Sequence, residues 1–95
     1  MEDLIRMCVN QVTVQNSIGL HARPATYFTQ LANKYKSTIW VESDDRRVNA
    51  KSLLGVLSLG IVGGTAIRII ADGADENQAV DGLIELVNSG FAEHN

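Results

Sequence analysis

The stretch Gly19-Leu20-His21-Ala22-Arg23-Pro24-Ala25 decides how the chain is read, because it joins two different periodicities. Before it, residues 8 to 15 alternate, with Val12 and Val14 on one face and Gln11, Thr13 and Gln15 on the other, the pattern of a half-buried strand. After it, Ala25, Phe28, Leu31, Ala32 and Tyr35 recur every three or four residues and line one face of a helix. The junction is therefore the mouth of a helix. There the first backbone N–H groups lack intrahelical partners and the peptide dipoles concentrate partial positive charge, so an anion is stabilised. His21 stands at the N-cap position, Ala22 and Arg23 supply the first free amides, and Arg23 adds a permanent cation. Pro24 suits the first turn, where its fixed φ fits and its missing donor is not needed. Two readings follow. His21 is a nucleophile whose phosphoryl group is met by amides and a guanidinium, or it is a histidine that merely caps a helix.

The rest of the chain supplies a sheet and two more helices. Residues 37 to 43 contain Thr38, Ile39, Trp40 and Val41, which favour a strand, and Asp44-Asp45 is turn chemistry leading into a return strand at 46 to 49. Residues 50 to 60 hold Leu53, Leu54, Val56, Leu57 and Leu59, too many apolar groups for one narrow stripe. They predict a short helix capped by Ser52 or a neighbour, ended by Gly60, and leaving some apolar surface outside. Gly63-Gly64 is a turn, 65 to 71 is the last strand, and Asp75 is a helix N-cap with Glu76 in the first turn. Val80, Leu83, Ile84 and Val87 mark a long amphipathic helix ended by Gly90, with Gly82 weakening its middle by about 1 kcal/mol. Strand, helix, strand, strand, helix, strand, helix is an α+β order that closes as two layers, with the helices on one face of the sheet.

Composition bounds the function. Ninety-five residues without a linker make one domain, 1–95, in which 1–6 and 92–95 are expected to fray. A net charge of −3 and five aromatics argue against direct nucleic-acid binding or a small-molecule module. Cys8 is the only cysteine, and Asp72, Asp75 and Glu76 lack the ligand spacing of a calcium loop, so no metal site is expected. Neither a secretory leader nor an apolar run of membrane-spanning length is present, which implies a cytoplasmic protein with no membrane insertion.

Three segments taken together, Gly-Leu-His-Ala-Arg-Pro-Ala at 19–25, Val-Asn-Ala-Lys-Ser-Leu-Leu-Gly-Val-Leu-Ser-Leu-Gly at 48–60 and Ala-Asp-Gly-Ala-Asp-Glu at 71–76, resemble HPr. This is the histidine-containing phosphocarrier family of the bacterial sugar phosphotransferase system. The resemblance runs from about Met7 to the end of the last helix, which makes 1–6 an N-terminal extension. It implies an open-faced β-sandwich, four antiparallel strands in the order 1-4-2-3 backed by three helices, βαββαβα. It also implies a phosphocarrier in a relay and not an enzyme in its own right, with no cofactor. His21 matches the acceptor of a phosphoryl group, held in the family on Nδ1, from enzyme I for EIIA proteins or domains. Arg23 matches the arginine beside it, with Ala22 lending an amide and Pro24 starting the helix. Ser52 matches a regulatory serine modified by HPr kinase/phosphorylase in the Gram-positive type, after which a catabolite-control transcription factor is a partner.

The partner surface is expected to comprise Leu53, Leu54 and Leu57 with Lys51, edged by Thr26 and Phe28 of the first helix. Three departures stand out: Asp44-Asp45-Arg46-Arg47 replaces an Asn-Gly-Lys-like turn, leucines at 53, 54 and 57 replace Ile or Met, and the chain starts six residues early. A relative acting only through its phosphoserine lacks the acceptor histidine, so His21 argues against that class. The nitrogen-branch phosphocarrier is the nearer rival, and the Ser52 segment resembles the kinase-regulated form more.

Overall fold

The computed structural model describes residues 7–16 and 19–91. The expected extension, 1–6, and the expected fraying ends, 1–6 and 92–95, lie outside the described residues. The elements are β1 (Cys8–Thr13), α1 (Ala22–Ala32), β2 (Thr38–Ser43), β3 (Arg46–Asn49), α2 (Leu53–Ser58), β4 (Ala66–Asp72) and α3 (Glu76–Asn88). All strand pairs are antiparallel and the sheet order is β1-β4-β2-β3. The result is the open-faced, three-helix α+β sandwich with the order 1-4-2-3.

Alternation along the strands sorts the two faces. Val12, Ile39, Val41, Ile67, Ile69 and Ala71 point into one core with Ala25, Phe28 and Ala32 of α1 and with Ala79, Val80, Leu83, Leu86 and Val87 of α3. The other face presents Gln11, Arg68, Glu42 and Arg47, successive partners in the sheet register. Glu42 there takes both guanidinium groups, at 3.1 Å from Arg68 and 3.3 Å from Arg47. Ile70 is also buried but lies outside the main core, because its register partners Val9 and Trp40 flank it on the outer face.

Several boundaries differ from the sequence reading, each for a local reason. The first helix stops at Ala32, not at Tyr35: the Asn33 side chain donates to the Thr29 carbonyl at 2.8 Å and to the Lys51 carbonyl at 3.1 Å, closing the helix and tying it to the loop before α2. Tyr35 still packs on the core from the following turn. Asp75 holds the N-cap position of α3, yet its side chain does not cap that helix. Its carboxylate accepts from the backbone N–H groups of Lys36 and Ser37, both at 2.9 Å, and from the Ser37 hydroxyl. At the far end of α3, the Phe91 N–H reaches the Leu86 carbonyl at 3.1 Å and the Gly90 N–H reaches Val87 at 3.0 Å, a double C-cap that turns Phe91 into the core.

Candidate functional site

The loop into α1 is fixed from outside the helix. Gly19 sits at φ +65, and a Cβ there would come within 2.3 Å of the Ile61 carbonyl oxygen and 2.6 Å of the Val62 Cα, so only glycine fits. The next residue, Leu20, is buried and donates its N–H to the same Ile61 carbonyl at 3.0 Å. The Asn16 side chain donates to the Gly19 carbonyl at 2.7 Å. The two residues before His21 are thereby held against the segment that follows α2, about forty positions on in sequence.

His21 occupies the N-cap position of α1 with extended backbone, φ −83 and ψ −166, but its ring makes no capping hydrogen bond. Its carbonyl accepts from the Ala25 N–H at 2.8 Å, closing the first turn. Pro24 has no donor, so the amides left to a ligand at this mouth are those of Ala22 and Arg23. His21, Ala22 and Arg23 are all exposed, and Arg23 takes part in no ion pair among the described residues. The ring is therefore reachable by another macromolecule. An unengaged imidazole beside two amides and an uncommitted guanidinium can take up a phosphoryl group and hold its charge.

Ser52 is the N-cap of α2: its hydroxyl oxygen accepts from the Gly55 N–H at 3.0 Å. Leu53, Leu54 and Leu57 of this helix are exposed, Leu54 by 80%, whereas Val56 alone turns fully inward. Thr26, half-buried on α1, donates its hydroxyl to the Ala22 carbonyl at 2.9 Å. Two expected members of the partner surface have structural contacts of their own, and for Phe28 these remove it from the surface. Phe28 is fully buried, since the three- and four-residue spacing that puts it on the helix stripe aims it at the sheet. Lys51 donates its ammonium to the Tyr35 carbonyl at 2.7 Å, which holds the loop before α2 onto the turn after α1. A residue missed in the sequence is Val62, 62% exposed on the same segment that braces Gly19. No sequence pattern marks it, because its place depends on that long-range contact.

The family model for the HPr component phosphorylation site of the phosphotransferase system matches residues 9–89. The chain belongs to the HPr phosphocarrier family. It is 42% identical over 87 residues to the phosphocarrier protein HPr of Neisseria meningitidis serogroup A, covering 92% of this chain and 98% of the relative. It is 44% identical over 81 residues to the HPr-like protein Crh of Halalkalibacterium halodurans, covering 85% and 96%. Among solved structures, HPr from Thermoanaerobacter tengcongensis superposes with a TM-score of 0.88 at 44% identity, covering 90% of this chain and 96% of that one. Membership of the HPr family makes the chain a phosphoryl carrier of the phosphotransferase system. No helix among the described residues is long and apolar enough to cross a membrane.

Proposed function

We propose that His21 is the residue that carries the phosphoryl group, taking it from enzyme I and passing it to EIIA proteins or domains for sugar uptake. The observation that carries this reading is the exposed His21 ring, standing at the N-cap position without capping anything. A neutral ring nitrogen attacks phosphorus, the P–N bond forms as the donor's bond to phosphorus breaks, and the amides of Ala22 and Arg23 with the Arg23 guanidinium meet the phosphoryl charge. Partners dock on Leu53, Leu54 and Leu57, with Thr26 at the edge. The reading places the protein in the cytoplasm with its donor and acceptors. Incubation with enzyme I and phosphoenolpyruvate should add one phosphoryl mass that disappears in His21→Ala; absence of transfer to His21 overturns the assignment.

Ser52 is proposed as a second, regulatory acceptor, modified by HPr kinase/phosphorylase with ATP. A phosphate adds roughly −1.5 to −2 charge. At the head of the exposed leucines it weakens docking to enzyme I and creates a face for a catabolite-control transcription factor. The similarity to Crh, the catabolite repression HPr of Bacillus subtilis, supports a place for the chain in catabolite regulation. Label from ATP that appears with the kinase and is lost in Ser52→Ala is the expected result.

A further inference from the structure

The helix that displays the leucines is only six residues long, Leu53–Ser58. A helix so short has too few internal hydrogen bonds to hold its own shape, so its orientation depends on the anchoring of Val56 in the core and on what grips its ends. Ser52 grips the first end through the Gly55 N–H. The other end is gripped from the β2–β3 hairpin. Arg46 donates from one guanidinium nitrogen to the Ser58 carbonyl at 2.6 Å and from the other to the Ser58 hydroxyl oxygen at 3.1 Å. That hydroxyl in turn donates to the Gly55 carbonyl at 2.6 Å. A line of side-chain contacts thus runs the length of the helix, from Ser52 through the Gly55 peptide and Ser58 to Arg46. The cation also lies where the carbonyl end of the helix dipole is negative.

We infer that Arg46 is a positioning residue for phosphoryl transfer: by forking onto Ser58 it fixes the angle at which Leu53, Leu54 and Leu57 meet the partner. This rests on the reading of those leucines as the docking surface. Arg46 opens β3 directly after the Asp44-Asp45 turn, in the segment 44–47 where the chain departs from the pattern it otherwise resembles. Its neighbour Arg47 has the same charge but a different task, pairing with Glu42 and lying 5.9 Å from the centre of the Trp40 ring. Arg47 is therefore a charge-matched control one residue away.

The test is steady-state phosphorylation of the full chain by enzyme I and phosphoenolpyruvate, with KM and kcat measured separately for wild type, Arg46→Ala, Arg46→Lys, Ser58→Ala and Arg47→Ala. Circular dichroism confirms that each variant is folded. Arg46→Ala should raise KM by about fivefold, corresponding to ~1 kcal/mol, with kcat within about twofold of wild type. Arg46→Lys, which keeps the charge but loses the fork, and Ser58→Ala should fall between, and Arg47→Ala should match wild type. An unchanged KM in Arg46→Ala, or an equal rise in Arg46→Ala and Arg47→Ala that signals net charge alone, overturns the inference. Failure of the wild-type chain to take up phosphoryl on His21 overturns the functional reading instead. Arg46→Lys and Ser58→Ala keep the test open should Arg46→Ala not fold.

Discussion

The carboxylate of Asp75 accepts from both the backbone N–H and the hydroxyl of Ser37, thirty-eight residues away, and so stitches the start of α3 to the turn before β2. With the Lys36 N–H as a third donor, these bonds favour the charged form, and the Ser37 hydroxyl contributes most. The carboxyl pKa is lowered from 3.8 to about 2. A group whose pKa falls on folding stabilises the native state above its unfolded pKa and loses that contribution as pH drops through the folded value. Stability from Asp75 is thus complete above about pH 4 and disappears towards pH 2. Urea unfolding at pH 7, 4 and 2.5 should show Asp75→Asn less stable than wild type at pH 7, with the gap narrowing as pH falls. A gap that is constant with pH would contradict the assignment.

Gly19 and Gly60 share a left-handed backbone, at φ +65 and +61, but only Gly19 is crowded. Alanine at Gly60 meets nothing within 4 Å and should cost only the left-handed penalty, about 1–2 kcal/mol. Alanine at Gly19 adds a collision with the Ile61 carbonyl and the Val62 backbone, so its unfolding free energy should fall by more. It should also slow phosphorylation by shifting the His21 loop. Equal losses at the two positions, with equal transfer rates, would show that the brace does not hold His21 in place.

Much of this was legible in the sequence because local rules governed it. The alternation at 8–15, the helical stripe after Pro24 and the turn at Asp44-Asp45 each depend on neighbours within a few residues. The capping of α2 by Ser52 was legible for the same reason. What escaped depends on contacts between distant segments. Asp75 has the composition of an N-cap, but Ser37 claims its carboxylate. Lys51 looks free until the Tyr35 carbonyl is beside it, and Gly82 looks like a flaw in a helix until the Tyr35 hydroxyl fills the space where a Cβ would lie. Phe91 falls just past the Gly90 that ends the helix and carries no periodic mark, and the double cap there turns it into the core.

Phe28 and Leu54 are both large apolar residues at helical positions, and their burial separates stability from docking. Phe28→Ala opens a cavity between α1 and the sheet and should cost about 3–5 kcal/mol in chemical denaturation. Leu54→Ala should change stability by less than about 0.5 kcal/mol while raising KM with enzyme I. A Leu54→Ala protein with unaltered KM would remove that side chain from the docking surface.

Capping and charge at Ser52 can be separated by two substitutions. Ser52→Ala leaves the Gly55 N–H without the oxygen it bonds at 3.0 Å and should cost about 1 kcal/mol of stability. It adds no charge, so KM for transfer to His21 should rise only slightly, as in Ser58→Ala, through the loosened end of α2. Ser52→Asp reverses the balance. Aspartate caps a helix as well as serine does, and its charge suits the helix N-terminus, so stability should stay close to wild type. That same charge stands beside Leu53 and Leu54, where a partner must shed water, and it should raise the KM for phosphorylation by enzyme I. Denaturation midpoints and transfer kinetics on the same pair of variants decide the matter. If Ser52→Asp transfers as well as wild type while Ser52→Ala is the slower protein, Ser52 acts on docking through the order of α2 and not through charge.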